Sequence, residues 1–362
     1  MLNVLIVFGG MTSEHDLSCK SAGYIIEHID KEKYNPISVG ITLDGKWLYT
    51  EATPEEIREV VAWEKSITNK KCMIDIDNGT KDLLIFEEDE KIRRVHIDCV
   101  FARMAGNTGE DGKLQGLFEV AGVPYVGCNV AASACGMDKE ISYSFADIVG
   151  IRRPKTAIFT RQEILEMKGD ETAVEEKLSK KIGGYPMFLK PASAGSSMGI
   201  SKVHSKEELH NAIALALDYD DKIIFEECIN GKEIKVGMLG DKEPVFGELC
   251  EIVPTNEFND YKTKYETGSS SKRMPANIPE DVKEKILELS LRYWKELRCE
   301  GFSRIDYFLT DDNEVVFNEI NTMPGFKPTS LYPMMFEKIG ISYTELISRL
   351  IEMALKREMK DR

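Results

Sequence analysis

The sequence predicts an α/β fold divided into more than one domain, and three observations carry that prediction. Near the start, "NVLIVFGG" (Asn3–Gly10) is an unbroken apolar run closed by glycines, the pattern of a strand buried on both faces of a parallel sheet. Helical spacing follows over Ser18–Ile29, then a second strand-like run over Asn35–Thr42, giving the β-α-β order. From Lys232 to the end, strand patterns alternate with two long helical patterns, about Pro279–Arg298 and Ser342–Lys360. A chain of 362 residues is long enough for two or three domains.

In chain order, His96–Met104 reads as a further strand of the N-terminal sheet. The polar, charged stretch from about Glu51 to Arg94 reads as hairpins or surface elaboration. Between Tyr125 and Ile151 a short glycine-bounded segment precedes a helix, and a change of domain falls near Gly127. Tyr185–Val203 reads as strand, small-residue loop, strand. Glu207–Tyr219 is an amphipathic helix and Lys222–Ile229 a strand. Glu257–Pro279 is long, polar and rich in glycine and serine, the composition of a functional lid or a disordered loop.

Composition is that of an ordinary globular protein, with 42% hydrophobic and 30% charged residues. A net charge of −15 disfavours non-specific binding to nucleic acid or to anionic membranes. It leaves nucleotide phosphates open, because a phosphate pocket needs only a few lysines, backbone N–H groups and metal ions. The first residues lack the pattern of a secretory signal, and no apolar stretch approaches the ~20 residues of a membrane span. Eight scattered cysteines without a CxxC pair suit a reducing compartment, so a cytoplasmic location is expected. No two of the five histidines have metal-ligand spacing, which argues against zinc.

Four stretches carry candidate chemistry. In "FLKPASAGSSMGISKV", Lys190 ends an apolar strand and a run of small residues follows, with Ser196 and Ser197 as hydroxyl donors. Such a loop lets backbone N–H groups approach an anion closely. It equally reads as a hairpin turn with a surface lysine, and it is not a Walker P-loop. In "FEECINGKE", Glu226, Glu227 and Glu233 lie at or beyond the end of a buried strand, where carboxylates can accept hydrogen bonds from an adenine amine or ribose hydroxyls. Solvated surface charge is the plainer reading of those residues.

In "GFSRIDYFL", Arg304 and Asp306 stand two apart; in "EVVFNEINTMPGF", so do Glu319 and Asn321. Residues at i and i+2 of a strand share a face. The "TDDNE" turn makes the two strands antiparallel neighbours, which groups Asp306, Glu319 and Asn321 with Arg304 beside them. Three oxygen ligands suit Mg²⁺, and the arginine can neutralise charge on a transferred phosphate. The fourth stretch, "AGNTGEDGKLQG" (Ala105–Gly116), lies between a strand and a helix, as a loop lining a crevice or as a capped helix start.

Taken together, "VFGGMTSEHDLSCKSA", "GNTGEDGKLQGLFEVAGVPYVG", "SACGMDK", "YPMFLKPASAGSSMGISKV", "RIDYF" and "NEINTMPGF" resemble the D-alanine–D-alanine ligase family. The resemblance spans essentially the whole chain and includes the vancomycin-resistance D-Ala–D-lactate and D-Ala–D-serine ligases. It implies a three-domain ATP-grasp fold: residues 1–127, 128–225 and 226–362, the last carrying the metal site and a lid at 254–279. It implies ATP, two Mg²⁺ ions with Mn²⁺ as a substitute, a D-alanyl phosphate intermediate, a homodimer, and a place in peptidoglycan precursor synthesis.

Carried over by residue, Lys139 and Lys190 resemble the lysines on the ATP phosphates, joined by Ser196, Ser197 and Lys264. Glu226, Glu227, Ile229 and Glu233 resemble the adenine and ribose contacts, and Asp306, Glu319 and Asn321 the metal ligands. Arg304 and the backbone of Gly325 resemble the group that holds the acylphosphate, and Ser330 and Leu331 the site of the second substrate. Asp16, Ser196 and Tyr265 occupy a Glu/Ser/Tyr network in which the first residue binds the amino group of the first D-alanine. Three departures bear on substrate. Ala105 replaces a histidine, Asp16 replaces the usual glutamate, and "PTSL" (Pro328–Leu331) replaces the usual serine-rich turn. Lys264–Tyr265 matches ligases that use an amino acid second, against D-lactate. D-serine as second substrate, another amino acid altogether, and a non-catalytic nucleotide-binding regulator are the alternative expectations.

Overall fold

The computed structural model describes residues 1–77, 79–167, 171–195, 198–254 and 270–360. Ser196, Ser197, Lys264 and Tyr265 lie outside the described residues, as does the greater part of the expected lid.

The first sheet contains β1 (Leu2–Gly9), β2 (Tyr34–Ile41), β3 (Trp47–Tyr49), β4 (Lys70–Ile74), β5 (Asp82–Phe86), β6 (Ile92–His96) and β7 (Cys99–Ala102). Their spatial order is β6-β5-β4-β3-β2-β1-β7. β2, β1 and β7 are parallel, while β3 to β6 extend the sheet antiparallel. The apolar run of β1 feeds two cores: Val4, Ile6 and Phe8 meet the helix His15–His28, while Leu5 and Val7 join Leu114 and Phe118. The final helix, Tyr343–Lys360, adds Leu346, Ile347, Leu350 and Ile351 to the first of these cores. Two readings change here. The run His96–Met104 is split between the end of β6 and β7. The stretch Glu51–Arg94 holds two short helices, Pro54–Arg58 and Val61–Glu64, besides the hairpin strands of the same sheet.

The second sheet, order β10-β9-β11-β8, is antiparallel and built from β8 (Thr156–Thr160), β9 (Met187–Pro191), β10 (Ser201–Val203) and β11 (Lys222–Glu227). The helices Glu171–Ile182 and Lys206–Leu217 cover the face carrying Met187, Leu189, Ile223 and Phe225. By strand alternation, the other face carries Lys190, Ile224 and Glu226.

The third sheet has the order β15-β14-β12-β16-β17, with β13 paired to β12. Its strands are β12 (Lys232–Gly240), β13 (Val245–Phe246), β14 (Cys250–Pro254), β15 (Ser270–Arg273), β16 (Gly301–Leu309) and β17 (Val315–Asn321). Thus the end of the stretch read as one long loop is a strand, β15, paired to β14. The helices Val130–Met137, Lys139–Ile148 and Glu280–Leu297 pack with Ile234, Val236, Ile305 and Tyr307 in one core. Asp138 separates the first two of these helices and caps the second, its carboxylate accepting from the N–H groups of Glu140 and Ile141.

The first and third sheets approach backbone to backbone. A Cβ on Gly301 would lie 3.0 Å from the Cα of Gly127, and both glycines have positive φ. From the last helix, Arg357 donates to the carbonyls of Tyr125 and Gly127 and bonds Glu300 at 2.6 Å.

Candidate functional site

Strict alternation in β17 contains a conflict, because Glu319 has the same parity as Phe317 and Val315, both core residues. The structure resolves it with a β-bulge. Arg304 pairs with Asn321 and Asp306 with Glu319, but Tyr307 pairs with Phe317, so Asn318 is the extra residue. Phe317 and Ile320 therefore enter the same core, while Asn318 and Glu319 lie outside it.

Asp306 is 1% exposed and ringed by cations. Arg304 donates from Nε to Oδ1 at 2.7 Å and from Nη2 to Oδ2 at 2.8 Å. Lys235, its cross-strand neighbour on β12, donates to Oδ2 at 2.9 Å and lies 3.0 Å from Glu233. Burial alone would raise the Asp306 pKa, but Arg304 and Lys235 outweigh it and hold it at about 2. Glu319 contrasts with it: Lys139 approaches its carboxylate no nearer than 4.0 Å.

On the second sheet, Lys190 Nζ lies 2.6 Å from Glu226, and the Tyr143 hydroxyl donates to the other oxygen of that carboxylate at 2.6 Å. Both members of the ion pair are buried. Lys190 also reaches Asn318, the bulge residue, at 3.4 Å. Glu227 turns the other way and accepts from the Lys155 N–H and from Arg152. Ile229 is half-buried in the turn after β11. Lys139, at the start of its helix, is buried and donates to the carbonyl of Ala194 in the small-residue loop. Burial lowers its pKa against the pull of Glu319, and the nearby Lys190 lowers it further.

A cavity forms where these elements meet, lined by Glu110, Lys139, Ala194, Gly195, Glu319 and Asn321 among others. Glu110 comes from the loop after β7. Burial and the charge of Glu14 push its carboxyl up to about 8, against Arg103 and Arg304. Glu14 is itself buried and its pKa raised by that burial, with Arg103 opposing. Arg103 is 1% exposed. Ala105 is buried, and its carbonyl accepts from Thr12.

Arg304, Asp306, Glu319 and Asn321 thus share one patch, with Lys139 and Lys190 beside it. Gly325 and Ser330 are also neighbours, since a Cβ on Gly325 would lie 3.3 Å from Ser330 Oγ. Ser330 sits at the N-cap of the helix Leu331–Glu337. Asp16 is exposed on the first turn of its helix. The described partners of the cavity acids are instead Glu14 and Arg103, neither of which the sequence reading singled out. Lys235 was also missed, because only the β12–β16 register shows what it faces.

The donor set fits a hard divalent ion. Asp306 and Glu319 offer carboxylate oxygens and Asn321 a carboxamide oxygen; Asn321 is half-buried at the cavity, with its Nδ2 buried and lacking a hydrogen-bond partner. Among the described residues, no three His, Cys, Asp or Glu side chains form a metal cluster.

Two family models match the chain, "D-ala D-ala ligase N-terminus" over residues 3–128 and "D-ala D-ala ligase C-terminus" over residues 145–352. The chain is 43% identical to the D-alanine–D-alanine ligase of Acetivibrio thermocellus, covering 98% of this chain and 96% of that one. It is 40% identical to that of Ruminiclostridium cellulolyticum, over 98% and 95%. Among solved structures it is similar to the VanG D-Ala:D-Ser ligase from Enterococcus faecalis, with TM-score 0.85, 36% identity and coverage of 98% and 99%. It is also similar to the D-alanine–D-alanine ligase from Coxiella burnetii, with TM-score 0.83, 28% identity and coverage of 99% and 95%. The chain belongs to the D-alanine–D-alanine ligase family, ATP-dependent carboxylate–amine ligases with the ATP-grasp fold.

Proposed function

We propose that this protein joins two molecules of D-alanine at the expense of ATP, supplying a peptidoglycan precursor. One observation carries the reading: a single cavity collects Glu110 from the loop after β7, Lys139, the Ala194–Gly195 loop, and Glu319 and Asn321 from β17. The carboxylate of the first D-alanine attacks the γ-phosphorus of ATP, the bond to ADP breaks, and an acylphosphate forms. The amine of the second D-alanine attacks the acyl carbon, phosphate leaves, and the nitrogen loses a proton. Phosphorylation supplies the leaving group that a carboxylate lacks.

Lys139 and Lys190 are assigned to the nucleotide phosphates, aided by Ser196, Ser197 and Lys264. Glu226, Glu227, Ile229 and Glu233 are assigned to adenine and ribose. Asp306, Glu319 and Asn321 would hold Mg²⁺ or Mn²⁺ as one or two ions, which when bound shield phosphate charge. Arg304 and the Gly325 backbone face the transferred phosphate, and Ser330 and Leu331 the second substrate. Asp16, with Ser196 and Tyr265, is assigned to the first amino group. The division at 127 and 225, with nucleotide between the second and third parts, belongs to the same reading. So do a homodimer, checked by sedimentation, and a cytoplasmic location. Among the described residues, no helix is long and apolar enough to cross a membrane.

Purified protein with ATP, Mg²⁺ and D-alanine is expected to release phosphate and form the dipeptide. Absence of phosphate release across a panel of D-amino acids would overturn the proposal. A second reading, D-serine as the second substrate, is favoured by the likeness to the VanG D-Ala:D-Ser ligase. Competition between D-alanine and D-serine at the second position, read by product mass, separates the two.

A further inference from the structure

Lys235 has no part in the chemistry above, yet it binds one of the proposed metal ligands, Asp306. It is 7% exposed and stands opposite Asp306 in the β12–β16 register. Its ammonium lies 2.9 Å from Asp306 Oδ2 and 3.0 Å from Glu233. Arg304 takes both oxygens of the same carboxylate through its fork. Asp306 is therefore already neutralised by two cations, whereas Lys139 stands 4.0 Å from Glu319. Oδ2 accepts from both cations, so a divalent ion that binds Asp306 through that oxygen competes with them for it.

The two cations differ in how easily they yield. Arg304 is held by two aligned bonds in a planar fork, whose geometry matches the carboxylate. Lys235 is a point charge on a flexible stem and holds one oxygen. It also has somewhere to go, because Glu233 lies within ion-pair distance on its own strand. A buried ammonium stripped of every anion would oppose its own release. With Glu233 beside it, the exchange leaves no charge bare.

We propose that Lys235 is a resident counter-cation of the metal site, competing with the divalent ion for Asp306 and retreating to Glu233 when the ion enters. The inference rests on the assignment of Asp306 as a metal ligand. It makes the nucleotide-free protein a weak binder of metal and makes the folding of the β12–β16 pair independent of it.

The test is a Mn²⁺ titration of the nucleotide-free protein, read as the loss of free-ion electron paramagnetic resonance signal. Lys235→Met is expected to bind Mn²⁺ at least tenfold tighter than wild type, and Lys235→Arg to remain close to wild type. Glu233→Gln, which removes the refuge, is expected to bind severalfold more weakly; it keeps the proposal testable where Lys235→Met does not fold. Asp306→Asn separates the two levels of the claim. Unchanged Mn²⁺ binding in Asp306→Asn overturns the ligand assignment. Weakened binding in Asp306→Asn, with Lys235→Met no tighter than wild type, keeps the ligand and overturns the competition.

Discussion

The sheet side of the cavity carries Glu319 and Asn321, with Asp306 buried next to Glu319 in the β16–β17 register, and the loop after β7 carries Glu110; the surroundings push Asp306 and Glu110 in opposite directions. Asp306, on the sheet wall, is buried between Arg304 and Lys235 and remains ionised, with a pKa of about 2. Glu110, on the loop wall, is half-buried with a second carboxylate, Glu14, nearby, and its pKa rises to about 8. The difference is one of backbone organisation. Antiparallel register places a cation directly opposite Asp306 and another two residues away on the same strand. The loop after β7 imposes no such pairing and brings two acids together around the single buried Arg103. One wall is built to keep a fixed negative charge, the other to keep a proton.

The largest test of this contrast is Asp306→Asn. It leaves Arg304 and Lys235 facing a neutral amide, with a stability loss of about 3–5 kcal/mol in urea unfolding. Activity is expected to fall about 100-fold or more in a phosphate-release assay. Retention of both stability and activity would break the account of the sheet wall. Lys190→Met comes next, because it leaves Glu226 buried with Tyr143 alone. About 3 kcal/mol of stability should be lost, and the KM for ATP should rise more than that for D-alanine.

Glu110→Gln acts through pH. The fold holds a proton on Glu110 that the unfolded chain releases near the ordinary value of 4.5. This contribution to stability is complete below that value and is lost as pH rises towards about 8. The glutamine variant should lose that slope and be about 2 kcal/mol more stable than wild type at alkaline pH, read by thermal unfolding. An unchanged profile would mean that Glu110 is ionised on the loop wall. The smallest effect is expected for Ala105→His on that same wall: a change of about tenfold or less in the KM for the amino acid, with the KM for ATP unmoved.

How much of this was legible depended on whether a residue's partner lay along the chain or across it. The run Asn3–Gly10 announced β1 because a strand buried on both faces needs no partner to be recognised. "RID" and "NEIN" announced the acidic face because i and i+2 share a side. The short helix Leu331–Glu337 and the helix Glu171–Ile182 went unread, the first for its brevity and the second for its polar composition. His96–Met104 looked like one strand because the turn between β6 and β7 carries apolar Ile97, which is fully buried. Lys235 and Arg103 read as ordinary charges, since their meaning arises only from what the fold sets opposite them.

The bulge at Asn318 has a consequence for how the protein tolerates change. Substitutions on the core side of β17 and on its ligand side are separate events, because the extra residue shifts the phase between them. Loss of Asn318 would make Phe317 and Glu319 consecutive, so plain alternation would keep the ring in the core and the carboxylate outside it, and only the amide that meets Lys190 would be lost. The bulge is therefore a place where the strand can change length by one residue and still present the same core and ligand sides.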